Sequence, residues 1–386
     1  MTDTKSSDTK SAGVRSRGAT RPARGRPGSA RPVIICWLVT RGLLFGVAAY
    51  LMTSTGASLT QVLTHWDVEH YQAIARHGYA DPLDVAFFPG LPLLMACLGK
   101  LGLPIAVGTA VAAQLASGLA AWALYRIGGA PMACLWLLAP MTLFTAVPYT
   151  EPFFCAAAFW AWERGLATRW TQAGALAALG CTLRISGLFL IAALGIMVLT
   201  RRGRPFAHKV KDCCWLLLPA AVLVGYVIFL HQLTGSWTAW YSAQGEGWQR
   251  NLSTPWAALQ QTLPLTAESY WPGRPEVPIM FRFEIVSVAL GYLTAAWCLL
   301  RRRWAEFTWV AINVLVLSCS GWFMSVNRAV LLWFPLFGLL GVLFSWRPKS
   351  SGGRSAWTVL RILLLSADLA LICWWGYLFG TGGWSS

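Results

Sequence analysis

The chain has 386 residues, of which 56% are hydrophobic and only 12% are charged. A soluble domain carries nearer one quarter charged residues, so the composition excludes an ordinary soluble protein and indicates a polytopic membrane protein. The net charge of +16 would suggest nucleic acid in a soluble chain. Here it is concentrated in the N-terminal tail and in short basic loops, where membrane orientation and anionic lipid headgroups account for it; no nucleic-acid partner is expected.

Residues 1–31 are rich in Ser, Thr, Gly, Pro and Arg and nearly free of apolar side chains. This composition predicts a disordered tail that stays attached and cytoplasmic. The remainder, 32–380, reads as a single membrane domain. The first apolar span covers about 33–53 and carries Arg41 near its middle, either snorkelling to the interface or facing inward as a functional charge. After a polar stretch, Leu91–Leu103 is apolar but too short to cross a bilayer. Further spans fall at about 105–126, 129–147 and 152–168. Residues 171–200 contain two short apolar halves around Thr182–Ser186, a pattern predicting a hairpin of short helices with Arg184 at its turn. The strongest basic loop, 201–211, precedes a span at 213–232. A long loop, 233–283, rich in Trp and Gln follows, then spans at about 284–300, 304–320, 329–346 and 356–378.

Lys and Arg concentrate in the tail, at Arg164 and Arg169, and at 201–211, 301–303 and 347–354. By the positive-inside rule, about eleven spans with a cytoplasmic N-terminus put all of these on one side. The polar segments 54–90, 148–151, the turn at Arg184, 233–283 and 320–328 then share the extracytoplasmic side. The ten cysteines lie almost entirely in apolar runs and form no CxxC or zinc pattern, so they read as small packing residues.

His65–Pro92 is the most polar part of the first third outside the tail. It holds Asp67, Glu69, Asp81 and Asp84 together with His65, His70 and His77, in a chain with only fifteen acids and five histidines. Such clustering among apolar helices marks a meeting of water, charge and chemistry. A helix starting near Trp66 places Asp67, Tyr71 and Ile74 on one side. Glu69 lies about 200° round from Asp67, so only one of the two acids is expected to face a substrate. The plainer readings are a solvated loop, an N-capping role for Asp67, hydrogen-bonding rather than metal-ligating histidines, and a helix-capping role for Glu151.

His65–Tyr71 (HWDVEHY), Ile74–Tyr79 (IARHGY) and Ala86–Pro92 (AFFPGLP), in this order, resemble the first extracytoplasmic loop of the PIG-V family. These are GPI mannosyltransferase 2-like enzymes of the GT-C glycosyltransferase superfamily, and the likeness is to a bacterial-type homologue. Pro148-Tyr149-Thr150-Glu151 resembles the family's P-Y-[ST]-E, and Arg184 sits in a short apolar hairpin as the family's arginine does. Thr234-Gly235, Ala243-Gln244 and Trp248 resemble its T-G…A-Q…W segment; Ser325, Arg328 and Phe334-Pro335 resemble its S-x-x-R…F-P segment. Position 68, often small in the family, is valine here. The likeness covers roughly 35–345.

The resemblance implies a GT-C-type helical bundle with a helical first extracytoplasmic loop. It also implies inverting transfer of mannose from a polyprenyl-phosphate-mannose donor to a lipid-linked glycan acceptor. The residues agree with that chemistry: no GxGxxG or GxxxxGK motif is present, one carboxylate must take the acceptor proton, and a departing lipid phosphate needs cations. Asp67 is the expected base, with Glu69 the alternate, and Arg184 and Arg328 the expected phosphate ligands. Trp66, His70, Tyr71, Tyr149, Glu151, Gln244 and Trp248 complete the expected substrate site, and Trp240 is a further candidate for sugar stacking. No metal and no cofactor are expected. The expected location is the cytoplasmic membrane with an extracytoplasmic site, or the endoplasmic reticulum in a eukaryotic source. A lipid-glycan flippase or transporter is the alternative, distinguished by mid-membrane charges in paired repeats.

Overall fold

The computed structural model describes residues 29–385, so nearly all of the basic tail lies outside the described residues. Those described are helical apart from turns and one isolated antiparallel bridge, Leu252 to Ser320. Helix α1 (Arg31–Thr55) has Pro32 in its first turn and ends at Gly56, whose φ of 73° supplies the left-handed residue that stops a helix. Its 25 residues make it roughly 37 Å long, enough to cross a bilayer. The short α2 (Leu59–Leu63) opens on a Ser58–Gln61 capping box, which turns the chain immediately outside α1. Helix α3 (Asp67–His77) follows, and α4 (Gly90–Lys100) returns the chain to the apolar interior.

Helices α5 (Ile105–Gly128), α6 (Ala130–Leu137) and α7 (Glu151–Leu166) form the next layer. Alanines 113, 120 and 123 on α5 are wholly buried, and side chains this small let neighbouring helices approach closely. At the basic end Glu163 pairs with both Arg126 (2.9 Å) and Arg164 (2.6 Å). Helices α8 (Trp170–Cys181) and α9 (Ser186–Leu199) form the expected hairpin of short helices, with Arg184 in its turn. Gly187 makes that turn possible, since a β-carbon there would stand 2.8 Å from the Cys181 Cα. Helices α10 (Phe206–Cys214) and α11 (Leu217–Thr234) together supply one apolar length sufficient for a span. The 233–283 loop is ordered around α12 (Ala239–Trp248) and α13 (Pro255–Thr262), and α14 (Glu276–Leu300), α15 (Trp304–Ser318), α16 (Val326–Ala329), α17 (Phe334–Ser345) and α18 (Ser351–Gly380) complete the fold.

Among the described residues, α1, α5, α14, α18 and the α10–α11 pair taken as one make five helices long and apolar enough to cross a membrane, and a sixth crossing results if 326–332 and 334–345, bent by 75°, count as one broken span. The expected count of about eleven is therefore not supplied by unbroken helices. The segment expected as a span at 129–147 is α6 followed by a 3-10 turn, Pro140–Thr145. Proline at 140 removes a backbone donor and favours a break. Helices α7, α8, α9 and α15 are each shorter than the roughly 20 residues a perpendicular crossing needs.

Candidate active site

Trp66 sits just before α3 with φ 58° and ψ −126°, a conformation costly for a bulky side chain. That kink starts the helix abruptly, so Asp67 occupies its first position. Asp67 makes no capping bond within α3. Its Oδ2 instead accepts from Arg328 Nη1 at 2.7 Å, across 261 positions of sequence. Tyr71, one turn on, is buried on the same side, whereas Glu69 is exposed on the other.

Asp67, Trp66 and Tyr71 line a cavity of about 370 Å³, together with Tyr149, Arg184, Trp240, Gln244, Trp248, Arg250 and Arg328. Glu151, wholly buried behind this wall, joins the two expected arginines. Its Oε1 lies 2.5 Å from Arg184 Nη1 and 3.7 Å from Arg328 Nε. Arg184 also donates to Thr150 Oγ1 at 2.9 Å. Tyr149 stacks beneath Arg328, with the guanidinium 5.1 Å from its ring centroid. The result is a relay Asp67–Arg328–Glu151–Arg184 along one wall. Burial pushes the Tyr71 phenol well above its ordinary range, with Asp67 and Glu151 adding to the effect, so Tyr71 is an uncharged hydrogen-bonding group here.

The opposite wall is the 82–90 segment, held by four side chains. Tyr226 donates to the carbonyls of Val85 (3.0 Å) and Phe87 (2.9 Å), and Tyr79 to that of Phe87 (2.8 Å). Trp240 and Gln244 both donate to the Ala86 carbonyl. Gly90 donates to the Thr182 carbonyl at 2.7 Å, in a gap too narrow for a β-carbon, which ties this segment to the turn carrying Arg184.

The other expected residues fall outside the cavity wall. His70 binds Asp84 at 2.9 Å and stacks on Phe87, with Trp248 beside it; it braces the wall rather than lining it. His65 faces the Gly380 carbonyl at 3.3 Å, and His77 is exposed at the end of α3. Asp81 accepts from Leu83 N at 2.8 Å and so starts a 3-10 turn.

Three contributors were missed from sequence. Arg250 lines the cavity and donates to the Met324 carbonyl at 3.2 Å, while its Nε meets no protein acceptor. Burial pushes its guanidinium down to about 10, and Arg328 adds to the effect. Arg250 therefore remains charged at neutral pH, and an anion in the cavity would offset its desolvation. Arg250 is one of three arginines in 233–283, with Arg274 and Arg282, so nothing in the sequence set it apart. Glu284, a buried acid early in α14, accepts backbone N–H bonds from Ser325 (3.0 Å), Val326 (2.7 Å) and Asn327 (3.1 Å). It thereby fixes the turn that presents Arg328. Trp384 and Ser385 close one rim of the cavity, with Trp66 donating to the Gly383 carbonyl at 3.2 Å and Trp375 to the Ser385 carbonyl at 2.7 Å. No sequence feature marked that rim.

The arrangement offers one carboxylate with a free oxygen, three cations and several aromatic faces in a single cavity. No family model matches the chain. Among curated proteins it is similar to GPI alpha-1,6-mannosyltransferase 2 of Rattus norvegicus, at 34% identity over 154 residues covering 34% of this chain and 31% of the relative. The Mus musculus protein of the same name is 33% identical and the Homo sapiens protein 34% identical, each over 154 residues and with the same coverage. The chain thus spans about a third of the length of the curated relatives it matches.

Proposed function

We propose that this chain is an integral-membrane mannosyltransferase of the PIG-V type. It moves mannose, with inversion, from polyprenyl-phosphate-mannose to a lipid-linked glycan at the extracytoplasmic face. The similarity to mannosyltransferases supports the sugar. The observation that carries the reading is the Asp67–Arg328–Glu151–Arg184 relay along one cavity wall.

In the proposed step, Asp67 takes the proton of an acceptor hydroxyl as that oxygen forms a bond to the mannose anomeric carbon. The bond from this carbon to the donor phosphate oxygen breaks on the opposite face, and its electron pair stays on the phosphate. Arg184, Arg328 and Arg250 take up the released charge. Among the described residues no donor engages Asp67 Oδ1, while Oδ2 is held by Arg328, so the same arginine orients the base and neighbours the leaving group. Trp240 and Trp248 supply faces for the sugar, and Glu151 keeps two cations close together that would otherwise repel.

Purified protein given radiolabelled polyprenyl-phosphate-mannose and membrane lipid extract should move label into a glycolipid. Intact donor crossing a vesicle bilayer without label transfer would instead identify a flippase. The proposed placement, with a GT-C-type arrangement of about eleven crossings and short helices completing the bundle, is tested separately. Cysteine-accessibility mapping in intact cells should find residues 60–85 and 240–275 outside and 203–210 inside. Finding 60–85 in the cytoplasm would remove both the topology and the donor access it provides.

A further inference from the structure

Helix α18 is packed along only part of its length. Ile372, Trp375 and Phe379 share one side of it by i, i+3 and i+7 spacing and are buried, with Trp375 against Phe283 of α14 and Phe379 against Tyr149. Toward the start of the helix the same side continues through Asp368, Leu365 and Leu364. There the packing stops: none of residues 351–371 is buried, and Leu364 and Leu365 are exposed. Part of a helix-packing face is thus left open, and it carries an acid. Trp357 and Tyr377 bracket about 30 Å of this helix, the thickness of a bilayer's hydrocarbon core with aromatic side chains at its two interfaces. Asp368 lies about 16 Å from the first and about 13 Å from the second, near mid-membrane. Among the described residues no donor and no cation meets its carboxylate, and the carboxylate oxygens reach the helix surface.

Lipid tails cover leucine at no cost but leave an acid unpaired, and acids within membrane helices ordinarily pair. The chain's own cations in apolar segments nearby are engaged elsewhere. Arg361, two turns before Asp368, donates to the carbonyls of Phe344 and Trp346. Arg41 of α1 is only 9% exposed and turns inward, donating to Thr145 Oγ1 at 2.8 Å and Thr142 Oγ1 at 3.4 Å. We propose that the open face of α18 around Asp368 docks a transmembrane helix of another protein that carries a lysine or arginine at mid-bilayer. The apolar side chains of that helix continue the packing over Leu364 and Leu365, and its cation donates to the Asp368 carboxylate. A second copy of this chain does not supply that cation. Symmetric copies in one membrane bring equal depths together, which sets acid against acid and leaves Arg361 on its carbonyls. The surface is independent of the transferase reading.

The test uses the full chain in liposomes, with a photo-crosslinking amino acid at Leu364, one turn from Asp368. The probe is a leucine–alanine transmembrane peptide of about 23 residues with tryptophans at its ends and one central lysine; matched peptides carry leucine or glutamate instead. Capture of the lysine peptide should saturate as its ratio to lipid rises. The other two should need at least about tenfold more peptide, the difference expected for a hydrogen bond between charged groups. Asp368→Asn loses no bond within the chain, so it should keep the parent's unfolding midpoint while capturing the lysine and leucine peptides alike. Asp368→Lys should reverse the choice and favour the glutamate peptide. Equal capture of the lysine and leucine peptides by the parent chain, or a preference unchanged in Asp368→Asn, overturns the site. Crosslinks between two copies of the chain that persist in excess lysine peptide overturn the partner assignment and make this face a self-association surface.

Discussion

Replacing Asp67 by asparagine should lower mannosyl transfer by about 10²–10⁴-fold, the usual contribution of a positioned general base. Asparagine keeps the side chain's size and an oxygen for the Arg328 bond, so the variant should insert normally and show an unfolding midpoint near that of the parent. The informative measurement is single-turnover transfer at saturating donor, which isolates the chemical step from binding. Glu69→Gln is the paired control: Glu69 is exposed on the far side of α3 and borders no part of the cavity, so its loss should change turnover little. Near-normal turnover in Asp67→Asn with none in Glu69→Gln would transfer the base to Glu69. Activity in both variants would take catalysis out of this loop.

The second large effect is expected at Arg328. Arg328→Gln should reduce donor turnover by about 10²–10³-fold, as loss of a preorganised charge donor typically does. It should also destabilise the fold, because breaking a buried pair costs about 3–5 kcal/mol and Arg328 is 8% exposed between Asp67 and the wholly buried Glu151. Arg328→Lys separates the two consequences. An ammonium keeps the charge but lacks the planar fork that reaches Asp67 and Ser325 together. Lysine should therefore restore much of the unfolding midpoint but little of the transfer. Arg184→Gln should weaken donor use with a smaller effect on stability, since its side chain is 21% exposed at a turn. Donor-concentration profiles for the three variants check this ordering, and normal donor use by Arg328→Gln would overturn the phosphate assignment.

The local parts of this site were legible because they depend on periodicity and punctuation. Spacing of i and i+4 correctly put Asp67 and Tyr71 on one side of α3 and Glu69 on another. Two apolar stretches each too short to span correctly indicated the α8–α9 hairpin. Arg184 and Arg328 border the same cavity as Asp67, although their roles rest on the proposed chemistry. The contributions of Glu284 and Arg250 were illegible because they act on partners distant in the chain or through backbone groups. Glu284 works through three N–H groups some forty positions away, and backbone donors leave no residue signature. Arg41 posed a different difficulty. A cation inside an apolar run looks the same whether it bends toward the interface or turns inward, and only the packing of α5 and Pro140–Thr145 against α1 decides. Unbroken helices do not match the count of about eleven spans for a related reason: apolar composition reports burial in lipid and burial in protein alike, so it does not separate a short crossing helix from a short helix packed inside the bundle.

The rim formed by Trp384 and Ser385 has a practical consequence for handling this protein. Trp66 and Trp375 hold that segment against the cavity through the carbonyls of Gly383 and Ser385. Residues inserted next to Trp384 or Ser385 therefore stand at the mouth of the site, and a loss of transfer in such a fusion would report obstruction instead of an inactive enzyme. The start of α1, roughly 37 Å along the helix from the loop that carries Asp67, is the position from which a fusion leaves that mouth clear.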